Sequence, residues 1–393
     1  MIHARMSKLI VSSMFVAPLL LSGTAATAYA EQADIFADVG IGYHSNAYHA
    51  PSAPYIDLAK NAAPTVVPNV QGGLFVPMKL GVKYQVSDDI QLRYKFDSQF
   101  YVDSALQAAD TYNHMVKLLK DMELGNDIQL QVGGLFGIHK KLYVDRDTGT
   151  EKLSNAGINV SNRYTYQDIG VFAELSKEIS GMKLIGKGKY ASLNYDDPVV
   201  ISSLDHTLFQ LGGFAQFKIM DDKAKVTVGY EYKTRSYSNR RSRDLTARLG
   251  TNPFLNYTYG TFSGKLAYKV GYATRLFVDG EVITRADDFV GYNDYTKTKV
   301  KLRVLHKLDH DTSVRAKFAY SNTNYDRAFA FENPAAPKKT SSTTTLSLKG
   351  QYHWQGLGDP MLWAGVTYQN VDTNDLRYKY KYTEVAVGGD WKF

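Results

Sequence analysis

The sequence predicts an all-β protein, a transmembrane antiparallel up-and-down β-barrel of about sixteen strands. Three observations predict it. Segments in which apolar and polar residues alternate recur along the chain, and that period puts successive side chains on opposite faces of a sheet. Short, turn-rich connections alternate with longer, more polar ones. Beyond the first thirty residues no 18-residue window is apolar enough to cross a membrane as a helix. A chain that spans lipid without such helices must satisfy its backbone groups by closing a sheet on itself.

The N-terminus is read first. Arg5 and Lys8 precede an almost wholly apolar run, Leu9 to Leu21, and Ala28-Tyr29-Ala30 follows with small residues at both cleavage-determining positions. This is the pattern of a secretory signal peptide, expected over residues 1–30 with cleavage after Ala30. The barrel is expected over residues 31–393. Cysteine is absent, which excludes a disulfide scaffold, a thiol nucleophile and a cysteine-ligated metal. The 22% of charged residues, set beside 13% aromatics, argues against a disordered chain.

Strands are expected near 35–43, 72–86, 89–102, 112–124, 128–142, 159–176, 182–194 and 205–219 in the first half. In the second half they are expected near 224–236, 257–270, 273–286, 294–308, 312–326, 342–355, 361–372 and 378–393. Sixteen is the count these runs give, within bounds of fourteen and eighteen. The clearest alternation is in Ile90-Gln91-Leu92-Arg93-Tyr94-Lys95-Phe96-Asp97 and in Val300-Lys301-Leu302-Arg303-Val304. Short turns include Ser87-Asp88-Asp89, Gly125-Asn126-Asp127 and Asp309-His310-Asp311. Long loops are expected near 44–71, 103–111, 143–158, 195–204, 237–256, 287–293, 327–341 and 373–377. Aromatics near strand ends, among them Phe100, Tyr101, Tyr257, Tyr259, Tyr292, Tyr295, Tyr378, Tyr380 and Tyr382, are expected as girdles at the membrane interfaces.

The chain ends Val385-Ala386-Val387-Gly388-Gly389-Asp390-Trp391-Lys392-Phe393. This resembles the C-terminal strand signal of Gram-negative outer-membrane barrels of porin type, and the rest of the chain is similar to them by pattern. The resemblance implies an outer-membrane location among lipid and lipopolysaccharide, and delivery to the barrel assembly machinery through the strand ending in Phe393. The segment Gly40-Ile41-Gly42-Tyr43-His44-Ser45-Asn46-Ala47-Tyr48, followed by Ala50-Pro51, resembles the first strand of barrels found with exopolysaccharide systems. Those often read Gly-Tyr-Asp-Ser-Asn there, and His44 stands in place of the acid.

If Leu92, Tyr94 and Phe96 face lipid, the alternate residues face inward. That phase, carried through each strand, collects many more basic than acidic side chains, although the whole chain holds 46 Lys and Arg against 39 Asp and Glu. The inward basic residues taken as lining an anion path are Arg93, Lys95, Lys187, Lys189, Lys233, Arg235, Lys265 and Arg275. Lys297, Lys299, Lys301, Arg303, Arg315 and Lys317 complete the set, and residues 294–308 are its densest part. Rings of Lys and Arg favour anions. They are alternatively accounted for by wall acids such as Glu231, Asp279 and Glu281. Inward Phe172, Phe214, Phe277 and Trp363 either stack against sugar rings or fill space. The loops at 44–71 and 237–256, the latter with Arg240, Arg241, Arg243 and Arg248, either fold inward or face the surface.

These residues lead to the expectation of a channel for anionic solutes, among them acidic sugars, oligosaccharides or a surface polysaccharide. The alternative is a non-conducting barrel that binds polymer or a partner through its long loops. Ser202, Ser203, Asp205 and His206 are the nearest approach to a hydrolase site, and His44 with His49 the nearest to a metal site. No Gly-x-Ser-x-Gly, His-Glu-x-x-His or phosphate-loop motif is present, so a non-enzyme without cofactor is expected. No nucleic-acid partner is expected either, because the basic residues are spread around a lumen.

Overall fold

A computed structural model describes residues 33–393 except 61, 151, 155, 156, 198, 200–202, 357 and 358. The expected signal peptide lies outside the described residues. Sixteen long strands form one closed barrel. They are β1 (Ala33–His44), β2 (Gly73–Ser87), β3 (Ile90–Tyr101), β4 (Thr111–Glu123), β5 (Ile128–Lys140), β6 (Tyr166–Ile179), β7 (Met182–Tyr195) and β8 (His206–Ile219). They continue with β9 (Ala224–Arg241), β10 (Phe254–Val270), β11 (Thr274–Asp287), β12 (Tyr295–Lys307), β13 (Thr312–Phe329), β14 (Lys338–His353), β15 (Met361–Thr373) and β16 (Tyr380–Lys392). Each pairs antiparallel with the next, and β1 closes the ring against β16.

The period of two has the expected consequence. Leu302, Phe318, Leu346 and Tyr368 stand opposite one another across β12 to β15, all exposed. Ile169, Val171, Leu211, Tyr230 and Phe262 continue this exposed apolar belt. A water-soluble surface does not carry a continuous apolar band, whereas a lipid-facing one requires it. At the closing seam Gly40 and Gly388 lie under the Trp363 ring, where a Cβ would come within 3.0 Å and 2.7 Å of it. The Trp363 Nε1 donates to Asp38 at 2.9 Å. Ile35 and Phe393 exchange both backbone hydrogen bonds, at 3.1 and 2.9 Å.

One end of the barrel has short turns. Between Ile179 and Met182 only Ser180 and Gly181 intervene, at φ 50° and 79°, the positive values a two-residue hairpin turn needs. The other end carries the long loops. Two hairpins run further out than the alternation suggests: β9 reaches Arg241 and β13 reaches Phe329, each past a register shift. Conversely β6 begins at Tyr166, so residues 159–165 belong to a loop.

Buried apolar residues gather under the loops. Ala47, Tyr48, Leu106, Ala109 and Val144 pack on Phe75, Tyr101 and Ala386, which are on the inward phase of β2, β3 and β16. The loop at 45–72 therefore folds inward at its start. Asn46, almost fully buried, clamps it: its Nδ2 donates to the Ala50 and Lys381 carbonyls (2.8 and 3.3 Å), and its Oδ1 accepts from the Ala50 amide at 2.8 Å. The Tyr55 hydroxyl reaches Asp147 at 2.9 Å, and Asn333 donates to the Leu58 carbonyl at 3.1 Å. Asp375 receives Arg377 at 2.9 Å and Lys339 at 3.1 Å. The loops at 45–72, 141–165, 330–337 and 374–379 are thus tied together across the outer end.

Candidate functional site

Residues opposite each other in a ladder share a face, so the register places each basic residue. Lys83, Arg93 and Lys117 form one row, and Lys95 lies opposite Gly81 and Met115. Lys187 faces Glu174; Lys189 faces Phe172 and Gln210. Lys233 and Arg285 flank Tyr259, while Arg235 faces Leu208 and Tyr257. Lys265 faces Asp279, itself opposite Lys301. Lys299 faces Glu281, Lys297 faces Ile283, and Arg303 stands between Phe277 and Lys317. Arg275 is opposite Lys269, and Arg315 opposite Lys349. All of these lie on the face opposite the apolar belt.

The side chains fall into two groups. In the first, carboxylates neutralise the cations. Lys299 meets Glu281 at 3.1 Å; Lys301 and Arg303 share Asp279 at 3.8 and 3.5 Å; Lys187 meets Glu174 at 2.8 Å. The run on β12 that looks most basic in sequence is therefore partly compensated by β11, two carboxylates meeting three of its cations.

The second group rests on aromatic rings. Lys233 lies 4.4 Å and Arg235 5.3 Å from the Tyr259 ring centre. Arg285 is held between Tyr257 (4.6 Å) and Tyr295 (4.2 Å), and its Nε donates to the Asn293 carbonyl at 3.0 Å. Lys141, just past β5, lies 5.1 Å over Tyr166. Its ammonium is held below the usual lysine range, by burial first and by Arg235 second. None of Lys189, Lys233, Arg235, Arg285 and Lys297 has an ion pair within 4.0 Å among the described residues. A ring face holds a cation in place without cancelling its charge. Phe172, Phe214, Phe277 and Trp363 serve the same way under Lys117, Lys187, Arg303 and Lys349.

The aromatic girdle expectation is corrected here. Tyr257, Tyr259, Tyr295, Tyr380 and Tyr382 lie on the inward phase, because their register partners are Arg235, Lys233, Arg285, Val371 and Gln369. Tyr295 meets Tyr325, and Tyr380 and Tyr382 stack with His49, while Tyr257, with Tyr259 beside it, ends a row of rings along the inner wall. From His139 it passes to Tyr166 (4.4 Å), Tyr195 (4.9 Å), His206 (5.8 Å), Tyr237 (4.9 Å) and Tyr257 (6.0 Å). His139 is fixed between Asn113 and Asp168, each at 2.9 Å. Tyr292 and Tyr378 lie in loops, and Tyr101 is buried inward.

Among the described residues the groups considered for catalysis do not form a triad, His206 Nε2 meeting no hydrogen-bond partner, and Ser202 lies outside the described residues. His206 Nδ1 donates to the Leu204 carbonyl at 2.8 Å, while Asp205 accepts from Ser203 at 3.1 Å and from the Tyr195 amide at 2.6 Å. His49 stacks on Tyr380 at 4.8 Å, and its ring centre stands 5.7 Å from that of His44. Sequence parity identified the inward phase but did not rank Arg285 or include Lys141. The signal that would have done so is an inward cation flanked by tyrosines on the neighbouring strands.

The fold is a closed antiparallel barrel of sixteen strands with an exposed apolar belt. No family model matches the chain, and no curated protein does. It is similar to the outer membrane channel DcaP of Acinetobacter baumannii, with TM-score 0.47, 11% identity and 92% of this chain and 98% of that one covered. An anion-selective porin from Comamonas acidovorans gives 0.45 and 10% over the same shares. A bacterial polysaccharide outer membrane secretin gives 0.44 and 9%, over 91% of this chain and 98% of that one. At such identities the likeness is one of barrel architecture alone.

Proposed function

We propose that the protein is an outer-membrane channel whose inner wall favours anions, with acidic sugars or oligosaccharides as the solute class. The observation that carries the reading is the group Lys233, Arg235 and Arg285, held on aromatic rings, with Lys189 and Lys297 on the same face, all without carboxylate partners within 4.0 Å among the described residues. An uncompensated charge on a water-facing wall concentrates counter-ions, and a passing anion replaces them. Tyrosine hydroxyls between these cations provide neutral hydrogen-bond partners suited to a polyhydroxylated solute. The remaining basic residues, Arg93, Lys95, Lys265, Arg275, Arg315 and Lys317, extend the positive wall along β3, β10, β11 and β13.

The test is single-channel recording of the refolded mature chain in a planar bilayer, with reversal potential under a salt gradient. Anion selectivity and block by an acidic oligosaccharide, with no block by its neutral analogue, are expected. A second reading has its own support: the loops tied across the outer end through Asn46, Tyr55–Asp147 and Asn333 form a broad outer surface. On that reading the barrel binds a surface polymer and does not conduct. Absence of conductance from correctly folded protein would favour it.

A further inference from the structure

The β9–β10 hairpin carries arginines that the wall chemistry does not use. Its loop, residues 242–253, is a built structure. Ser242 donates its amide to the Pro253 carbonyl at 2.7 Å, and Asn252 Nδ2 donates to the Ser242 carbonyl at 3.1 Å. The one carboxylate of this loop is consumed locally: Asp244 accepts the Thr246 and Ala247 amides, both at 2.7 Å. Arg243 lies 4.4 Å over Tyr292 and reaches Glu332 at 2.5 Å. From the neighbouring loop, Arg163 pairs with Asp197 at 2.9 Å.

Two donors are left over. Arg248 Nη1 and Arg243 Nε are buried and meet no hydrogen-bond acceptor among the described residues. Arg240 and Arg248 make no ion pair among them either. Burying a guanidinium donor unpaired is costly, and such a donor is well placed to receive an oxyanion. Burial first, then the nearby Arg240, Arg243 and Arg163 charges, push Arg248 down to about 10. Arg243 and Arg248 lie in the loop that joins β9 to β10 and Arg240 at the end of β9 beside it, at the end of the barrel that carries the long loops.

We propose that Arg240, Arg243 and Arg248, backed by Arg163, form a site at the outer mouth for a tetrahedral oxyanion, a sulfate or phosphate ester carried by an entering solute. It rests on the channel reading only for the solute being one that enters. Guanidinium groups match such an anion through paired hydrogen bonds, which an ammonium cannot reproduce.

The test is equilibrium binding of inorganic sulfate to the refolded full barrel in detergent, measured by calorimetry. Arg240→Gln with Arg248→Gln is expected to weaken binding at least about tenfold. Arg248→Lys, which keeps the charge and loses the fork, is expected to fall between. Lys223→Gln, in the short turn between β8 and β9 at the other end of the barrel, is expected to leave sulfate affinity within about twofold. A parallel arm uses vesicles containing lipid A, the phosphate source in the membrane, and binding there is expected to be unaffected by the Arg240/Arg248 change. Unchanged sulfate affinity in a folded, SDS-resistant Arg240/Arg248 variant overturns the site. Loss confined to the lipid A arm overturns its assignment to a solute. A barrel that binds sulfate but does not conduct refutes the channel reading and leaves the site standing.

Discussion

Charge compensation makes a prediction that separates the two groups of inward cations. Lys299→Gln combined with Glu281→Gln removes an ion pair of 3.1 Å and leaves the net wall charge unchanged. Lys233→Gln combined with Arg285→Gln removes two charges whose contacts are rings at 4.4, 4.6 and 4.2 Å. A unit charge about 4 Å from a passing ion contributes about 1 kcal/mol in water-like surroundings, and more where the wall lowers the dielectric. Each uncompensated cation then concentrates a monovalent anion about fivefold locally, before screening by salt. The Lys233/Arg285 variant should therefore shift the reversal potential markedly toward the cation side, most at low ionic strength. The Lys299/Glu281 variant should keep the wild-type potential. Lys299→Gln alone should shift it, because it leaves Glu281 bare. Planar-bilayer recordings at about 0.1 M and about 1 M salt read all three. An unchanged potential in Lys233→Gln/Arg285→Gln, or equal shifts in the two double variants, would refute the reasoning.

Other expectations concern loops, seam and assembly. Asn46→Ala strips the buried Ala50 amide of its acceptor, at about 1–3 kcal/mol, and should make the 45–72 loop protease-sensitive while the barrel stays SDS-resistant. Acid should loosen the same loops. His49 is pushed down to about 3, chiefly by burial, so the unfolded chain takes up its proton first and stability is lost as pH falls from about 6.5 toward 3. His49→Phe, keeping the ring against Tyr380, should remove that part of the pH dependence in a proteolysis assay. Burial alone would raise Asp375, but Arg377 and Lys339 outweigh it and hold it low, so its contribution should persist in His49→Phe and fade only below about pH 4. Gly388→Ala drives a methyl into the Val39 carbonyl and the Trp363 ring and should lower the urea midpoint by the equivalent of about 1–3 kcal/mol. Phe393→Ala should leave that midpoint nearly unchanged, since the side chain is exposed and the bonds to Ile35 are backbone, yet reduce assembled barrel in cells.

Much of the barrel was legible because the period of two is enforced by lipid on one side and water on the other. It is enforced only within the membrane. At Tyr237-Ser238-Asn239-Arg240-Arg241 both faces meet water, alternation lapses, and the extension of β9 to Arg241 leaves no trace in the pattern. The same physics explains why residues 159–165 looked like strand: Val160 and the tyrosine of Tyr164 are apolar for reasons of loop packing, the former buried and the latter against Tyr143.

The site was legible by face and not by row. Parity puts Lys299 and Glu281 on the same side of the sheet, but whether they touch depends on the offset between β11 and β12, which the intervening turn and the register decide. That offset sets Asp279 between Lys301 and Arg303, and so quiets the run of lysines that dominates the sequence. On the same strand β11, Arg285 lies six residues further on, opposite Tyr259 on one side and Tyr295 on the other. Tyr259 shares its parity with Lys265, and Tyr295 shares its parity with Lys297, so both could have been read as inward from the sequence. Their closeness to strand ends suggested the interface instead. A ring next to a lipid headgroup and a ring beneath an inward guanidinium look alike in composition, and only the phase of the strand tells them apart.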